Sequence, residues 1–141
     1  MRVRNAPRLA WALIEVLTEA LRVEFALRRL PFERVLRNAS ATHQSRRNLV
    51  EIPVATLCRA IRMAYRILPV EGTCLKQSLV FCRVRRRRGL PAELKIGVQK
   101  NEGVFAAHAW VEDGAGHVLT DPQEGFSPVP LPAIRGQRAS D

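Results

Sequence analysis

The segment Glu71–Gly89, "EGTCLKQSLVFCRVRRRRG", decides how the rest of the chain is arranged. Thr73 is a good N-cap, and Gly72 allows a sharp turn before it, so the spacing predicts a helix that begins at Cys74 and ends near Arg88. Its apolar residues point in nearly every direction around the helix axis, which is typical of a buried helix: Leu75, Leu79, Val80, Phe81, Cys82 and Val84. We therefore expect this helix at the centre of the fold.

Cys74 would lie in the first turn of that helix, where unpaired backbone amides and the helix dipole favour an anion. This environment lowers the pKa of a thiol and raises its thiolate fraction. A thiolate becomes a catalyst when a histidine can pair with it and protonate a leaving amine, and a third group orients the imidazole. His43 lies in a polar segment and His117 next to a turn, whereas His108 is central in an apolar strand and needs a partner there. Cys74 and His108 are the candidate pair.

Upstream of this segment the sequence is helical. Pro7–Arg29 is predicted to be an amphipathic helix, with its apolar stripe formed by Trp11, Ile14, Leu17, Leu21 and Phe25. Phe32–Asn38 indicates a short helical turn, and Ala39–Asn48 is polar and predicted to be an exposed linker. Pro53 suits the first turn of another helix, whose stripe is Val54, Leu57, Ile61, Ala64, Tyr65 and Leu68. Cys58 is interpreted as a small core residue beside that stripe.

Downstream, three segments are predicted to be strands: "AELKIGV" at 92–98, "VFAAHAWVE" at 104–112 and "HVLTD" at 117–121. The last two are joined by "DGAG", which fits a two-residue loop with Gly114 in its first position. Counting outward from that loop places His108 opposite Asp121, so that a carboxylate lies beside the imidazole. Trp110 would share the face of His108 and shield it. A three-residue loop or a bulge would break this register.

Helices followed by a small antiparallel sheet predict an α+β fold, with the buried helix packed on one face of the sheet. The length of 141 residues fits one domain. We divide it into an N-terminal helical region and linker at 1–48, a catalytic core at 49–126 and an extended tail at 127–141.

Three cysteines without CxxC spacing argue against a disulfide framework or a zinc finger, and no metal or cofactor is predicted. The cysteine usage fits a reducing cytoplasm. No stretch is long and apolar enough for a membrane span or a signal peptide.

A formal net charge of +10 makes acidic partners attractive: nucleic acid, a membrane surface or an acidic peptide. The lack of an aromatic-rich strand or a nucleic-acid motif in the sequence counts against a nucleic-acid-binding module. The basic run "RVRRRRG", Arg83–Gly89, has two interpretations. It is either a helix C-terminus stabilised by cations or a basic patch for an acidic partner.

Taken singly, each candidate site residue also has a structural explanation. Cys74 could be a core thiol, His108 a hydrogen-bonded core histidine, and Asp121 the start of an Asp-Pro turn. As a set, a helix-borne cysteine followed by a strand histidine and a strand aspartate resembles the papain-like and transglutaminase-like cysteine hydrolases.

A closer resemblance rests on longer motifs. The stretch "GTCLKQSLVFCRVRRRRGLPAELKIGVQK", with "FAAHAWVE" and "VLTD", resembles the transglutaminase-like leader peptidases of lasso peptide biosynthesis, the B-type maturation proteins in their stand-alone form. With "ALRRLPFERVL" and "RAIRMAYRILP" upstream, the resemblance extends from about Leu21 to Asp121.

The resemblance implies a cytoplasmic cysteine peptidase of transglutaminase-like (papain-like) fold that removes the leader from a ribosomally made precursor. In that scheme Cys74 is the nucleophile, His108 the general base and acid, and Asp121 the orienting carboxylate. The implied partners are the precursor peptide, a separate leader-recognition protein and the lasso cyclase. We expect the N-terminal helices and Arg83–Gly89 to form the docking surface for the recognition protein.

Two questions stay open at the level of sequence. The same triad could transfer an acyl group to an amine, as transglutaminases do. The backbone amide of Cys74 is a candidate oxyanion donor, whereas a second donor is not identified.

Overall fold

The structure, a computed structural model, describes residues 6–40, 51–120 and 127–128. Within these residues the chain forms four helices and a three-stranded antiparallel sheet: α1 Ala6–Arg29, α2 Phe32–Ser40, α3 Val54–Ile67, α4 Cys74–Arg87, β1 Glu93–Asn101, β2 Val104–Glu112 and β3 Ser127–Pro128. The predicted α+β class is confirmed. None of the helices in the described ranges is long and apolar enough to span a bilayer.

Helix α4 lies at the centre of the molecule, as the sequence predicts. It packs against α1, α2 and α3 on one side and against β1 and β2 on the other. Five of its apolar residues are at most 1% exposed: Leu79, Val80, Phe81, Cys82 and Val84. Burial of a large apolar side chain contributes roughly 1.5–3 kcal/mol to folding, so this helix supplies much of the core energy.

Helix α1 begins one residue before the predicted start and ends at the predicted Arg29. Four of the five residues of its predicted apolar stripe are exposed, whereas Leu17 is half-buried. The exposed fractions are 73% for Trp11, 56% for Ile14, 57% for Leu21 and 62% for Phe25. The buried face carries smaller side chains instead: Ala12, Val16, Ala20 and Val23. Small side chains allow the backbones of two helices to approach closely, and α1 packs on both α3 and α4. The predicted amphipathic helix is confirmed, but its sequence did not specify which face lies in the core, and the structure places the face with the smaller residues there.

Glu19 lies on this buried face of α1 and is fully buried. Its Oε2 atom is 2.6 Å from Arg83 Nε, and its Oε1 atom is 2.6 Å from Arg87 Nη1. Burial alone would raise the pKa of Glu19, but the hydrogen bonds and charges of Arg83 and then Arg87 outweigh it, so the pKa stays below its ordinary value. An ion cluster therefore joins α1 to the C-terminal half of α4.

The other arginines of the basic run also have partners inside the molecule. Arg88 pairs with Glu15 of α1. Arg86 Nε donates to the carbonyl oxygen of Ala92 at 2.7 Å, and Arg85 Nε donates to that of Pro91. These contacts favour the structural interpretation of Arg83–Gly89 over a basic patch, because the guanidinium groups are used to hold α1 and the segment leading into β1.

Strand β1 is the middle strand of the sheet. It pairs with β2 so that Gly97 lies opposite His108, and it pairs with β3 so that Gly97 also lies opposite Pro128. The β1–β2 hairpin turns at Glu102 and Gly103, which both have positive φ, as a two-residue type I′ turn requires. The predicted tail at 127–141 thus begins with residues that belong to the sheet.

The predicted register after β2 is wrong. Val118, and not His117, forms the bridge to Glu112, and the loop between Asp113 and His117 contains three residues. The positive φ of Gly116 is typical of this wider loop. Within 117–120 only this single bridge is formed, so the predicted strand "HVLTD" is reduced to a short pairing.

The loop is one residue longer than predicted because the side chain of Asp113 stabilises it. Asp113 Oδ1 accepts hydrogen bonds from the backbone amides of Ala115 and His117, both at 2.8 Å, and thereby stabilises the longer loop. The expected pairing of His108 with Asp121 does not follow from this register. Asp121 itself lies outside the described residues, as does His43.

Candidate active site

Cys74 and His108 line the same cleft. Its walls come from α3, α4, β2 and the segment after β2: Cys58, Ile61, Arg62, Cys74, Gln77, Ser78, Phe81, His108, Ala109 and Thr120. The structure therefore brings together the two candidate residues, which lie far apart in the sequence. Within the ranges that the structure describes, no group of three or more His, Cys, Asp or Glu side chains is placed to hold a metal ion.

Cys74 is the first residue of α4, as predicted, and it is exposed. Thr73 is the N-cap: its Oγ1 atom accepts a hydrogen bond from the backbone amide of Lys76 at 3.3 Å. The other two cysteines differ in accessibility. Cys58 is half-buried, and Cys82 is buried in a way that raises the pKa of its thiol to about 12. Of the three, Cys74 is the most exposed, whereas Cys58 lines the same cleft in a half-buried position.

The turn before Cys74 is fixed by contacts that the sequence does not reveal. A Cβ atom on Gly72 would lie 2.7 Å from both Cβ and Cγ of Tyr65, so only glycine fits against this α3 residue. Gln77 Nε2 donates to the carbonyl oxygen of Gly72 at 2.8 Å. Lys76 forms an ion pair with Glu24 of α1 at 2.8 Å. The start of the helix is therefore held from α1, from α3 and from its own next turn.

Ser78 connects the helix that carries the cysteine to the strand that carries the histidine. Its hydroxyl donates to the carbonyl oxygen of Ala109 at 3.2 Å, in a buried position. Ser78 is one turn beyond Cys74 on the same face of α4, and Ala109 follows His108 in β2. This hydrogen bond therefore helps to set the distance between the thiol and the imidazole. Sequence reasoning missed Ser78, because a serine inside a helix gives no sign of a partner 31 residues away.

The imidazole of His108 is half-buried and stacked on an indole. The ring centroids of His108 and Trp110 are 6.2 Å apart, and the planes differ by 21°. Trp110 is itself buried, and its Nε1 atom donates to Glu112 Oε1 at 3.0 Å. The prediction that Trp110 lies on the face of His108 is confirmed. Glu112 was not predicted to take part, and it acts by fixing the ring that covers the histidine.

The third candidate, Asp121, lies outside the described residues, which extend to its neighbour Thr120. Thr120 lines the cleft, and its Oγ1 atom accepts from the backbone amide of Val111 at 3.0 Å. Asp121 is the next residue, so its role remains a prediction. His117 is exposed and lies next to the turn, where it forms a surface pair with Asp113 Oδ2 at 3.0 Å.

A scan against protein-family models matches residues 17–130 to the Transglutaminase-like superfamily. The chain belongs to this superfamily. Comparison with curated proteins and with solved structures gave no significant match. The region matched to the Transglutaminase-like superfamily begins within α1 and ends just after β3, so it includes every element that lines the cleft. Membership is compatible with a cysteine peptidase or with an acyltransferase.

Proposed function

We propose that this protein is a cysteine peptidase that removes the leader from a lasso peptide precursor. Cys74 is the nucleophile, His108 the general base and acid, and Asp121 the carboxylate that orients the imidazole. The observation that carries the proposal is the shared cleft of an exposed helix-start cysteine and a stacked strand histidine, in a chain of the transglutaminase-like superfamily. The lasso assignment rests on the motifs quoted above.

The chemistry follows from these positions. The Cys74 thiolate attacks the carbonyl carbon of the scissile bond, and the backbone amide of Cys74 at the open end of α4 stabilises the oxyanion. The imidazolium of His108 then protonates the leaving amine, which becomes the N-terminus of the core peptide. A water molecule, deprotonated by His108, attacks the thioester and releases the leader with a free carboxylate, regenerating the thiol and the imidazole. The freed amine is the group that a cyclase needs for macrolactam closure.

The proposal is tested by Cys74→Ala in a cleavage assay with the precursor peptide and the leader-recognition protein, with products identified by mass spectrometry. We expect no leader or core product from this variant. Cys82→Ala is the matched control, because Cys82 is buried and outside the cleft, and it should still cleave. Cleavage at the normal rate by Cys74→Ala would overturn the assignment.

An acyltransferase is the second candidate, because the superfamily is compatible with it and the first half-reaction is the same. In that case an amine, and not water, attacks the thioester. A glutamine-containing peptide incubated with a primary amine would give a conjugate with the mass of the peptide plus the amine minus ammonia. A conjugate formed by the wild type and absent with Cys74→Ala would favour this candidate.

The exposed stripe of α1 supports a docking site for the leader-recognition protein. Trp11, Ile14, Leu21 and Phe25 are each more than half exposed on one helix, and an apolar surface of this kind marks an interaction site. The arginines of the run at 83–88, which were expected to share this role, have partners inside the molecule.

The docking site is tested by the double variant Ile14→Ser and Leu21→Ser. We expect a loss of affinity for the recognition protein of at least about tenfold, since central apolar residues of an interface carry most of its energy. Phe105→Ala is the matched control, because this residue is equally exposed but lies on β2. Isothermal titration calorimetry measures both, and equal affinities would show that α1 is not the docking surface.

A further inference from the structure

A second basic cluster, on α3, differs from the run at the end of α4. Arg59, Arg62 and Arg66 are spaced by three and four residues, so they lie on the same side of the helix, and all three are exposed. Among the residues that the structure describes, no carboxylate forms an ion pair with any of them. Within these residues, no carboxylate therefore neutralises their positive charge.

The location of this cluster relates it to the catalytic cleft. Arg59, Arg62 and Arg66 border a shallow depression together with Met63. Arg62 also lines the cleft that contains Cys74 and His108. The arginines thus form a row along α3 that passes the edge of the cleft.

The row has the dimensions of a short peptide segment. The seven-residue separation of Arg59 and Arg66 corresponds to about 10 Å along the helix axis, at 1.5 Å per residue. An extended peptide covers about 3.3 Å per residue, so the row spans about three residues of substrate. Guanidinium groups remain charged at all physiological pH values and bind carboxylates through two parallel hydrogen bonds.

We propose that Arg59, Arg62 and Arg66 form a specificity site that binds the carboxylate side chains of an acidic segment of the substrate peptide, close to its scissile bond. This inference rests on the proposed peptidase function and adds a substrate preference to it. Three like charges along one helix face repel each other, and a bound acidic segment removes that repulsion.

A binding assay tests the site without cleavage. A fluorescein-labelled peptide with four glutamates and its counterpart with four glutamines are titrated with the Cys74→Ala protein, and fluorescence anisotropy is recorded. We expect the glutamate peptide to bind more tightly. The double variant Arg59→Gln and Arg66→Gln should weaken its binding by at least about tenfold, because it removes two of the three guanidinium groups that bind the carboxylates.

The matched control is the double variant Arg34→Gln and Arg37→Gln. Both residues are exposed on α2, and neither borders the cleft, so the net charge changes equally in the two double variants. Equal weakening by both would show non-specific attraction and overturn the proposal. Double-stranded DNA at a concentration equal to that of the peptide is the competitor. If it displaces the glutamate peptide from the protein with the intact arginine row but not from the α3 double variant, phosphate is the ligand and the proposal is overturned.

The cleavage assay separates this inference from the proposed function. If the α3 double variant raises KM for a precursor with acidic residues near its cleavage site and leaves kcat unchanged, the specificity site is supported. Unchanged KM and kcat, with cleavage still dependent on Cys74, would refute the specificity site alone. Retained peptide binding with no cleavage that depends on Cys74 would refute the peptidase function alone.

Discussion

Two groups of arginines in this protein belong to neighbouring helices but differ in their surroundings. Those of α4 lie against the carboxylates of Glu15 and Glu19 on α1 and against backbone carbonyls. Those of α3 are exposed and have no ion pair within the described ranges. The comparison shows that a run of basic residues in a sequence does not by itself indicate a binding surface. The residues that face it decide whether its charge is used inside the fold or offered to a ligand.

The largest effect that tests this comparison is expected from Glu19→Gln. Removal of the carboxylate leaves Arg83 and Arg87 against a buried neutral amide, and breaking a buried ion pair in this way costs about 3–5 kcal/mol of the free energy of unfolding. Urea denaturation measures it. Glu33→Gln is the control, because Glu33 is exposed in the first turn of α2 and should change stability by at most about 1 kcal/mol, the usual range for a charge at a helix end. A small effect of Glu19→Gln would mean that the α4 arginines are not structural.

The same carboxylate predicts a pH dependence. Since the pKa of Glu19 is lower in the folded than in the unfolded chain, its stabilising contribution is fully present above the ordinary value of 4.5. It is lost as the pH falls through the folded pKa. The difference in unfolding free energy between wild type and Glu19→Gln should therefore be constant near neutral pH and shrink in acid. A difference that is independent of pH down to pH 2 would contradict the assignment.

A smaller effect is expected when a single arginine of each cluster is replaced. Arg83→Gln removes a 2.6 Å contact with Glu19 and should cost about 1.5–3 kcal/mol, the range for a hydrogen bond to a charged group. Arg62→Gln on α3 removes no hydrogen bond or ion pair within the described residues and should leave the melting temperature within a few degrees of wild type. Thermal unfolding followed by circular dichroism distinguishes the two. An equal loss of stability in the two variants would show that the two clusters do not differ in their structural role.

The smallest effect concerns the repulsion within the α3 row. Like charges four residues apart on a helix destabilise it by roughly 0.2–0.5 kcal/mol, so Arg62→Gln, in the interior of α3, should increase stability by that amount at low ionic strength. The gain should disappear in about 1 M salt, where the screening length falls to about 3 Å. Arg22→Gln is the opposite control, because Arg22 pairs with Glu19 at 3.0 Å and its loss should not stabilise. A gain that persists in high salt would have another cause.

The sequence predicted the parts of the fold that depend on local signals. The start of α4 follows from the Thr73 cap, and its central position follows from apolar residues on all sides of the helix. The face of α1 could not be predicted in this way. Its orientation depends on Glu19, whose partner Arg83 lies 64 residues further along the chain, and a pattern of hydrophobicity within α1 contains no information about that contact.

The candidate site shows the same limit. Cys74 and His108 could be chosen from the sequence, because a helix-start thiol and an imidazole in an apolar strand are each unusual enough to need an explanation. Ser78 and Gln77 could not, because each is defined by a contact that exists only after folding. Gly72 was assigned to a sharp turn from the sequence, but its close contact with Tyr65 was not predictable. The register after β2 failed for a related reason. The side chain of Asp113 stabilises a loop that is one residue longer than predicted, so Glu112 pairs with Val118 instead of His117.

The contact between Gly72 and the ring of Tyr65 has a consequence for when the protein acquires its reactivity. The turn before Cys74 packs closely against Tyr65 of α3, and Lys76 in the first turn of α4 forms an ion pair with Glu24 of α1. A fragment containing α4 alone would keep the thiol but lack the surface that shapes its turn. Under the proposed function, cleavage that depends on this turn therefore requires α1 and α3 to be packed against α4, so a chain in which that packing is lost would keep the thiol but would not cleave peptides.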